Sequence, residues 1–259
     1  MIPLSRSGCA VALLAALAGG VVHAQTVDDV VAKNLKARGG AEKLKALSTI
    51  RTTGSVEQEG RTIAFVTYAK RPNFVRRELE GTPPPGGPGR ASVPPSTGPV
   101  KAVMAFDGQT AWTINPMMGP AAQVIPRPPG EAAKADADFD SPLLDYKAKG
   151  HTVQLVGTQA LDGKPTHHLK IILKNGSVVH YYLDVDTGLE VRTATPLEQG
   201  GVKAELTADL SNYQTVDGLT VPFRMRQSVD GKLMTDVTIL KWEPNLPIED
   251  ELFKMPSTK

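Results

Sequence analysis

Apolar positions along this chain change their period once. Between Thr26 and Arg38, the residues Val27, Val30, Val31 and Leu35 recur at helical spacing. Thr26 stands as N-cap, with Asp29 three residues later in the manner of a capping box, and Gly39-Gly40 ends the run. A second short helical pattern, Ala41 to Leu47, puts Leu44 and Leu47 on one side. After Ser48 the period falls to about 2, and the pattern predicts strands separated by turn signals. These are Glu59-Gly60, Asp107-Gly108, Asp162-Gly163, Asn175-Gly176, Asp186-Thr187-Gly188, Asp217-Gly218 and Asp230-Gly231. Asx-Gly pairs tolerate the positive φ of tight hairpin turns, so an antiparallel meander is expected rather than a parallel βαβ sheet.

The strands are one-sided. Val202, Ala204, Leu206, Ala208 and Leu210 alternate with Lys203, Glu205, Thr207, Asp209 and Ser211, and Val221, Phe223 and Met225 alternate with Arg224 and Arg226. About ten or eleven such strands are too many to stay flat, so the fold expected is mainly β (α+β), an antiparallel unclosed barrel or half-barrel with an apolar concave side. Two segments interrupt the meander. Residues 82–99 (TPPPGGPGRASVPPSTGP) read as a mobile Pro/Gly/Ser-rich loop. Residues 130–149 carry Ala132, Ala133, Ala135 and Ala137, then Leu143, Leu144 and Tyr146, and predict one or two short helices broken near Ser141-Pro142. That segment is the natural lid, with Leu143, Leu144 and Tyr146 as its contact residues.

Composition changes this picture in three ways. The 29 Lys plus Arg against 27 Asp plus Glu leave a formal charge of +2, without the basic excess or stripe that a nucleic-acid binder needs. The apolar share of 41 % is enough for a real core, whereas 5 % aromatics do not make a Trp/Tyr-rich recognition surface. The N-terminus has Arg6, an apolar stretch from Cys9 to Val22, and Val22-His23-Ala24 before Gln25. Small residues at Val22 and Ala24 predict a secretory signal over residues 1–24, cleaved after Ala24, because the stretch falls short of the roughly 20 residues that span a bilayer. Cys9 lies ahead of the apolar run, the wrong side for a lipid anchor. The single cysteine leaves with the signal, so a single domain over residues 25–259 in the periplasm is expected to hold together without disulfides.

Little in the sequence predicts catalysis. With Asn175-Gly176 taken as a two-residue turn, Ile171 faces His180 and His167 faces Asp184. His167 and His180 then share a face about 13 Å apart, too far for one metal, while His168 points to the other face with Lys170 and Lys174. The same register puts Leu169, Ile171, Leu173, Val178 and Tyr182 on one lining face. No Gly-x-Ser-x-Gly elbow, paired-histidine helix or phosphate-binding loop is present. Asp136, Asp138, Asp140 and Asp145 form the one acidic cluster. Ser141 and Lys147 occupy the places where a helix-loop-helix calcium site needs glycine and glutamate, so the cluster reads as a solvated helix start. No metal, cofactor or catalytic residue is expected. Phe65, Tyr68, Phe106 and Trp112 form a sparse aromatic set whose core and ligand-lining roles coincide in a half-barrel.

The order of short motifs resembles a known family. After the export signal come Val-Asp-Asp-Val-Val, Ala37-Arg38-Gly39-Gly40, Lys70-Arg71-Pro72, Ala105-Phe106-Asp107-Gly108, Trp112 with Asn115-Pro116, and Asp145-Tyr146-Lys147. Leu173-Lys174-Asn175-Gly176, Tyr182-Leu183-Asp184, Tyr213 with Val216-Asp217-Gly218-Leu219, and Pro222 follow. Together these resemble the bacterial outer-membrane lipoprotein-sorting proteins, relatives of the periplasmic lipoprotein carrier (LolA-like). The resemblance implies helices filling the concave side of an open barrel, and a cavity for acyl chains. It also implies an arginine tying an early strand to the lid, which corresponds to one of Arg51, Arg61, Arg71 and Arg76. The Pro-rich 82–99 segment departs from the carrier pattern. The function expected is a non-enzymatic, monomeric carrier or sensor. It would bind lipoprotein acyl chains or another lipid through Phe65, Phe106, Trp112, Leu169, Ile171, Tyr182, Leu206, Leu210 and Phe223, with inner- and outer-membrane sorting proteins as partners. The competing classes are an interaction module with a self-filled cavity and a hydrolase.

Overall fold

A computed structural model describes residues 25–82, 99–126, 130, 134, 137, 138, 140–199 and 201–257. The signal segment and nearly all of the Pro-rich loop lie outside the described residues. Helix α1 (Val27–Ala37) opens on the expected capping box: the Asp29 backbone N–H donates to Thr26 Oγ1, and Asp29 Oδ2 accepts from the Thr26 backbone. A Gly39-Gly40 turn with positive φ at both residues leads into α2 (Ala41–Lys45).

The described strands form one antiparallel sheet of 13. They are β1 (Thr49–Gln58), β2 (Arg61–Lys70), β3 (Phe74–Gly81), β4 (Val100–Asp107), β5 (Ala111–Ile114), β6 (Gln123–Val124) and β7 (Thr152–Leu161). After these come β8 (Lys164–Ile172), β9 (Val178–Asp184), β10 (Glu190–Gln199), β11 (Val202–Val216), β12 (Leu219–Val229) and β13 (Lys232–Pro244). The sheet is not closed. Its order runs from β6 down to β1, then β13 down to β7, so the first and last strands pair at its middle while β6 and β7 form its two edges. The count exceeds the ten or eleven expected, and β6, at two residues, is too short to show a period in the sequence.

This order explains where the segment expected to be the lid, residues 130–149, sits. The connection from β6 to β7 joins opposite edges of the sheet, so it has to cross the open side. One or two short helices are expected in this segment, and part of it lies outside the described residues. Gly130 and Lys134 are helical, but residues 142–150 run as consecutive turns, with Asp145 and Gly150 at positive φ. Leu143 and Leu144 are nonetheless fully buried.

Both sheet faces are covered, by different elements. On the concave side α1 packs Val30 and Val31, together with Leu143, on Val153, Leu169, Ile171 and Leu183. Leu44 and Leu47 pack beside Ile50, Leu219, Val221, Phe223 and Trp242. On the convex side the C-terminal segment, a 3-10 turn at Asp250–Phe253 followed by Met255, covers β3–β5.

Candidate functional site

Cross-strand register builds a continuous apolar row on the concave face beyond the helices. Leu210 pairs with Met225, Met225 with Val237, Val237 with Val56, and Val56 with Ile63, one residue from each of β11, β12, β13, β1 and β2. All five are half-buried. The adjacent row runs from Ile239 through Gly54 and Phe65 to Leu79 and Ala102. Gly54 belongs there for a steric reason: a Cβ would stand 2.7 Å from the Phe65 ring and 2.2 Å from the Thr238 carbonyl oxygen. With strands about 4.8 Å apart, the first row alone spans about 19 Å. Its far end opens into an apolar pocket of about 160 Å³ lined by Ile63, Leu79, Val100, Ala102, Pro116 and Met117. The whole forms a trough whose apolar floor is left half-covered.

A second, smaller space lies under the helices and the lid. It measures about 110 Å³ and is lined by Asn34 and Leu35 of α1 and its C-cap Arg38, Leu44 and Leu47, Asp140, Ser141 and Leu144 of the lid, and Ile50, Leu219, Val221 and Trp242 of the sheet. Arg71, just past β2, locks its roof. Both terminal nitrogens of the guanidinium donate to Asp140, at 2.7 Å each, while Nη2 and Nε also donate to the carbonyls of Leu44 and Leu47. This fork joins strand, α2 connection and lid in one bidentate pair. The aspartate's carboxylate is the first cause of the upward shift of the Arg71 pKa. Of the four arginines left open by the sequence, Arg71 is the one that reaches the lid. Arg51 pairs with Glu243, Arg61 with Glu59, and Arg76 with Glu78 and the Leu252 carbonyl.

Deeper in the concave side is a polar cluster. Glu190, 2 % exposed, accepts from Arg38 at 3.0 Å, and the Tyr213 hydroxyl donates to the Glu190 carbonyl at 2.7 Å. Burial, and then the Glu190 charge, push both Tyr181 and Tyr213 well above the ordinary phenol range. The Tyr213 hydroxyl is the donor that holds Glu190 from the sheet side.

The structure separates the expected lining residues into three groups. Phe65, Leu206, Leu210 and Phe223 lie on the concave face in or beside the trough. Leu169, Ile171 and Phe106 also face the concave side, but Leu169 and Ile171 are sealed under Val30, Val31 and Leu143, and Phe106 is sealed against Ala137. Trp112 and Tyr182 are on the convex face. Phe106 pairs with Ala111 and Ala105 with Trp112, so Phe106 and Trp112 point to opposite sides. The Trp112 Nε1–H donates to the Phe253 carbonyl at 2.8 Å, and Arg76 stacks over its ring.

Tyr182 was misplaced by one residue of register. The hairpin is closed by Leu173 and Ser177, with Lys174, Asn175 and Gly176 in a three-residue loop and Gly176 at φ +87°. Ile171 therefore faces Val179 and Lys170 faces His180. A slip of one flips every side chain of β9. Tyr181 and Val179 are the concave residues. His180 joins His168 and Tyr182 outside, and His167 turns inward opposite Leu183. Leu143 and Leu144 are buried, and the Tyr146 hydroxyl donates to Asp28 at 2.7 Å. Among the described residues no group of three or more His, Cys, Asp or Glu gathers at metal-binding distance.

No protein-family model matches the sequence, and no curated protein matches it. Solved structures do. A DUF1329-family protein from Desulfovibrio piger superposes with a TM-score of 0.56 at 15 % identity, over 88 % of this chain and 97 % of that one. A LolA superfamily protein from Nitrosomonas europaea gives 0.53 at 14 %, over 89 % and 98 %. An outer-membrane lipoprotein-sorting protein domain from Vibrio parahaemolyticus gives 0.51 at 13 %, over 86 % and 97 %. The chain shares the fold of these three structures, and in it that fold is an unclosed antiparallel half-barrel.

Proposed function

We propose that this protein is a non-enzymatic carrier or sensor of the bacterial periplasm, a single domain from residue 25 onward that takes up acyl chains of lipoproteins or of another lipid. The observation that carries the reading is the trough: two adjacent apolar rows crossing the sheet on its concave side, half-covered. An acyl chain laid along Leu210, Met225, Val237, Val56 and Ile63 would gain about 25 cal/mol for each Å² of apolar surface it buries. Leu206, Phe65 and Phe223 flank the same path. The lid sits in the closed position, and the Arg71–Asp140 pair is the latch that would have to part for a chain to enter the space beneath. The likeness to a structure described as a lipoprotein-sorting domain supports this reading, as does the apolar floor itself.

Native mass spectrometry of protein exported to the periplasm tests it. The expected result is co-purified lipid, together with saturable binding of a fluorescent fatty-acid probe. Absence of both would overturn the reading. One observation favours a second reading, an interaction module that fills its own cavity. The space under the lid, about 110 Å³, is below the about 300–1,000 Å³ of ordinary ligand pockets. Deleting residues 82–99 separates the two, since a carrier keeps lipid binding and a module that docks through this loop loses its partner.

A further inference from the structure

The corrected register of the β8–β9 hairpin brings together two side chains that the sequence reading kept apart. His168 Nε2 and His180 Nδ1 are 2.8 Å apart on the convex face, and Tyr182 stacks on the His168 ring with centroids 4.6 Å apart. Two imidazole nitrogens bound in cis to one metal at about 2.0–2.1 Å stand about 2.9 Å from each other at a right angle, and about 3.4 Å in a tetrahedron. The two nitrogens share a hydrogen bond, with the rings nearly end to end and their centroids 5.0 Å apart, so chelation replaces that bond and both rings swing about their side-chain torsions to turn their lone pairs onto one metal, without moving a strand. The flank beside His168 is open: its neighbour on β7 is Gly157, where even a Cβ would meet nothing within 4 Å. We propose that His168 and His180 form a two-histidine site for a divalent transition metal, with Cu²⁺ the best fit because two cis nitrogens suit its tetragonal geometry. Water fills the remaining positions.

The surroundings favour the neutral ligand form. Burial, and then His180, hold the His168 pKa below the usual imidazole value, which favours the neutral form that binds a metal. The neighbouring cations are Lys170, opposite His180, and Arg192, opposite Tyr182 and paired with Asp209. The site is separated from the trough by the thickness of the sheet, so it stands or falls independently of lipid binding.

Untagged protein titrated with Cu²⁺ near pH 7.5 and followed by electron paramagnetic resonance tests this. Expected are one equivalent bound, a spectrum showing two imidazole nitrogens, and affinity lowered at least about tenfold in both His168→Gln and His180→Gln. His151→Gln should leave affinity unchanged, and fatty-acid probe binding should be the same in all variants. A wild-type spectrum without imidazole nitrogens would overturn the proposal whatever the variants do. So would unchanged Cu²⁺ affinity in folded His168→Gln.

Discussion

Helix α1 and the lid cover the same concave surface but are fastened to it in different ways. Side chains of α1 reach buried backbone: Lys33 donates to the Val185 carbonyl at 2.6 Å, Asn34 to that of Gly188 at 2.9 Å, and Arg38 to that of Thr220 at 2.7 Å and to buried Glu190. Its C-terminal turn is seated so tightly that a Cβ on Gly39 would come within 2.3 Å of the Gly218 carbonyl oxygen. The lid is held by Leu143 and Leu144, by the Arg71–Asp140 fork, and by two exposed ion pairs, Lys45–Asp145 and Lys147–Asp28. Exposed pairs contribute about 0–1 kcal/mol each and weaken with salt. The difference teaches that α1 is tied to the sheet by buried and half-buried bonds to backbone, whereas the described part of the lid rests on two buried leucines, one half-buried charge pair and exposed contacts that include Tyr146 to Asp28.

The largest effect should come from breaking α1's seat. Leu183→Ala removes a fully buried side chain beneath Val30 and Val31 and is expected to cost about 2–5 kcal/mol in chemical denaturation. Gly39→Ala, at φ +113°, should cost about 3 kcal/mol or more. Loosening the lid instead should cost less and change more locally. Arg71→Ala is expected to lower stability by about 1–2 kcal/mol while raising hydrogen exchange in residues 140–150 and speeding probe uptake. Equal loss of protection in α1 and the lid would erase the distinction.

The trough gives the next effect. Val237→Asp should weaken fatty-acid probe binding at least about tenfold with little loss of stability, because the residue is only half-buried. Tyr182→Phe, on the convex face, should leave binding as it was. The smallest effect is on pH. His151, His167 and His168 all have pKa values pushed below 6.5, in each case first by burial. The unfolded chain therefore binds protons before the folded one does. Stability is full above the unfolded value and declines as pH falls through it toward the folded values. A drop in melting temperature of about 2–4 °C between pH 7.5 and 5.5 is expected, and His167→Gln should reduce it.

Some of this was readable residue by residue. The capped helix, the change of period after Ser48 and the Asx-Gly turns define an open meander, because each is a local preference written within a few residues. The β8–β9 turn shows where such reading fails. A loop of two or three residues reads alike around Asn175-Gly176, yet the choice decides whether Tyr181 or Tyr182 faces inward and whether His168 meets His180. Trp112 failed for the same reason, since the turn at Asp107–Thr110 sets its parity against Phe106. Val56, Ile63, Met225 and Val237 were absent from the expected lining because only pairing across five strands puts them in a line. Arg71 could not be told from Arg51, Arg61 and Arg76 because reaching Asp140 depends on where β2 ends, not on its composition.

The sequence by itself thus determined which residues are apolar, at what period and between which turns, and with that a one-sided antiparallel sheet carrying an N-terminal helix. The tertiary structure alone decided which side each residue takes after a turn, which arginine holds the lid, and that a row from Leu210 to Ile63 exists at all. The physical reason is that side-chain direction in a strand has a period of two, so one residue of register, settled by long-range pairing, reverses a whole strand.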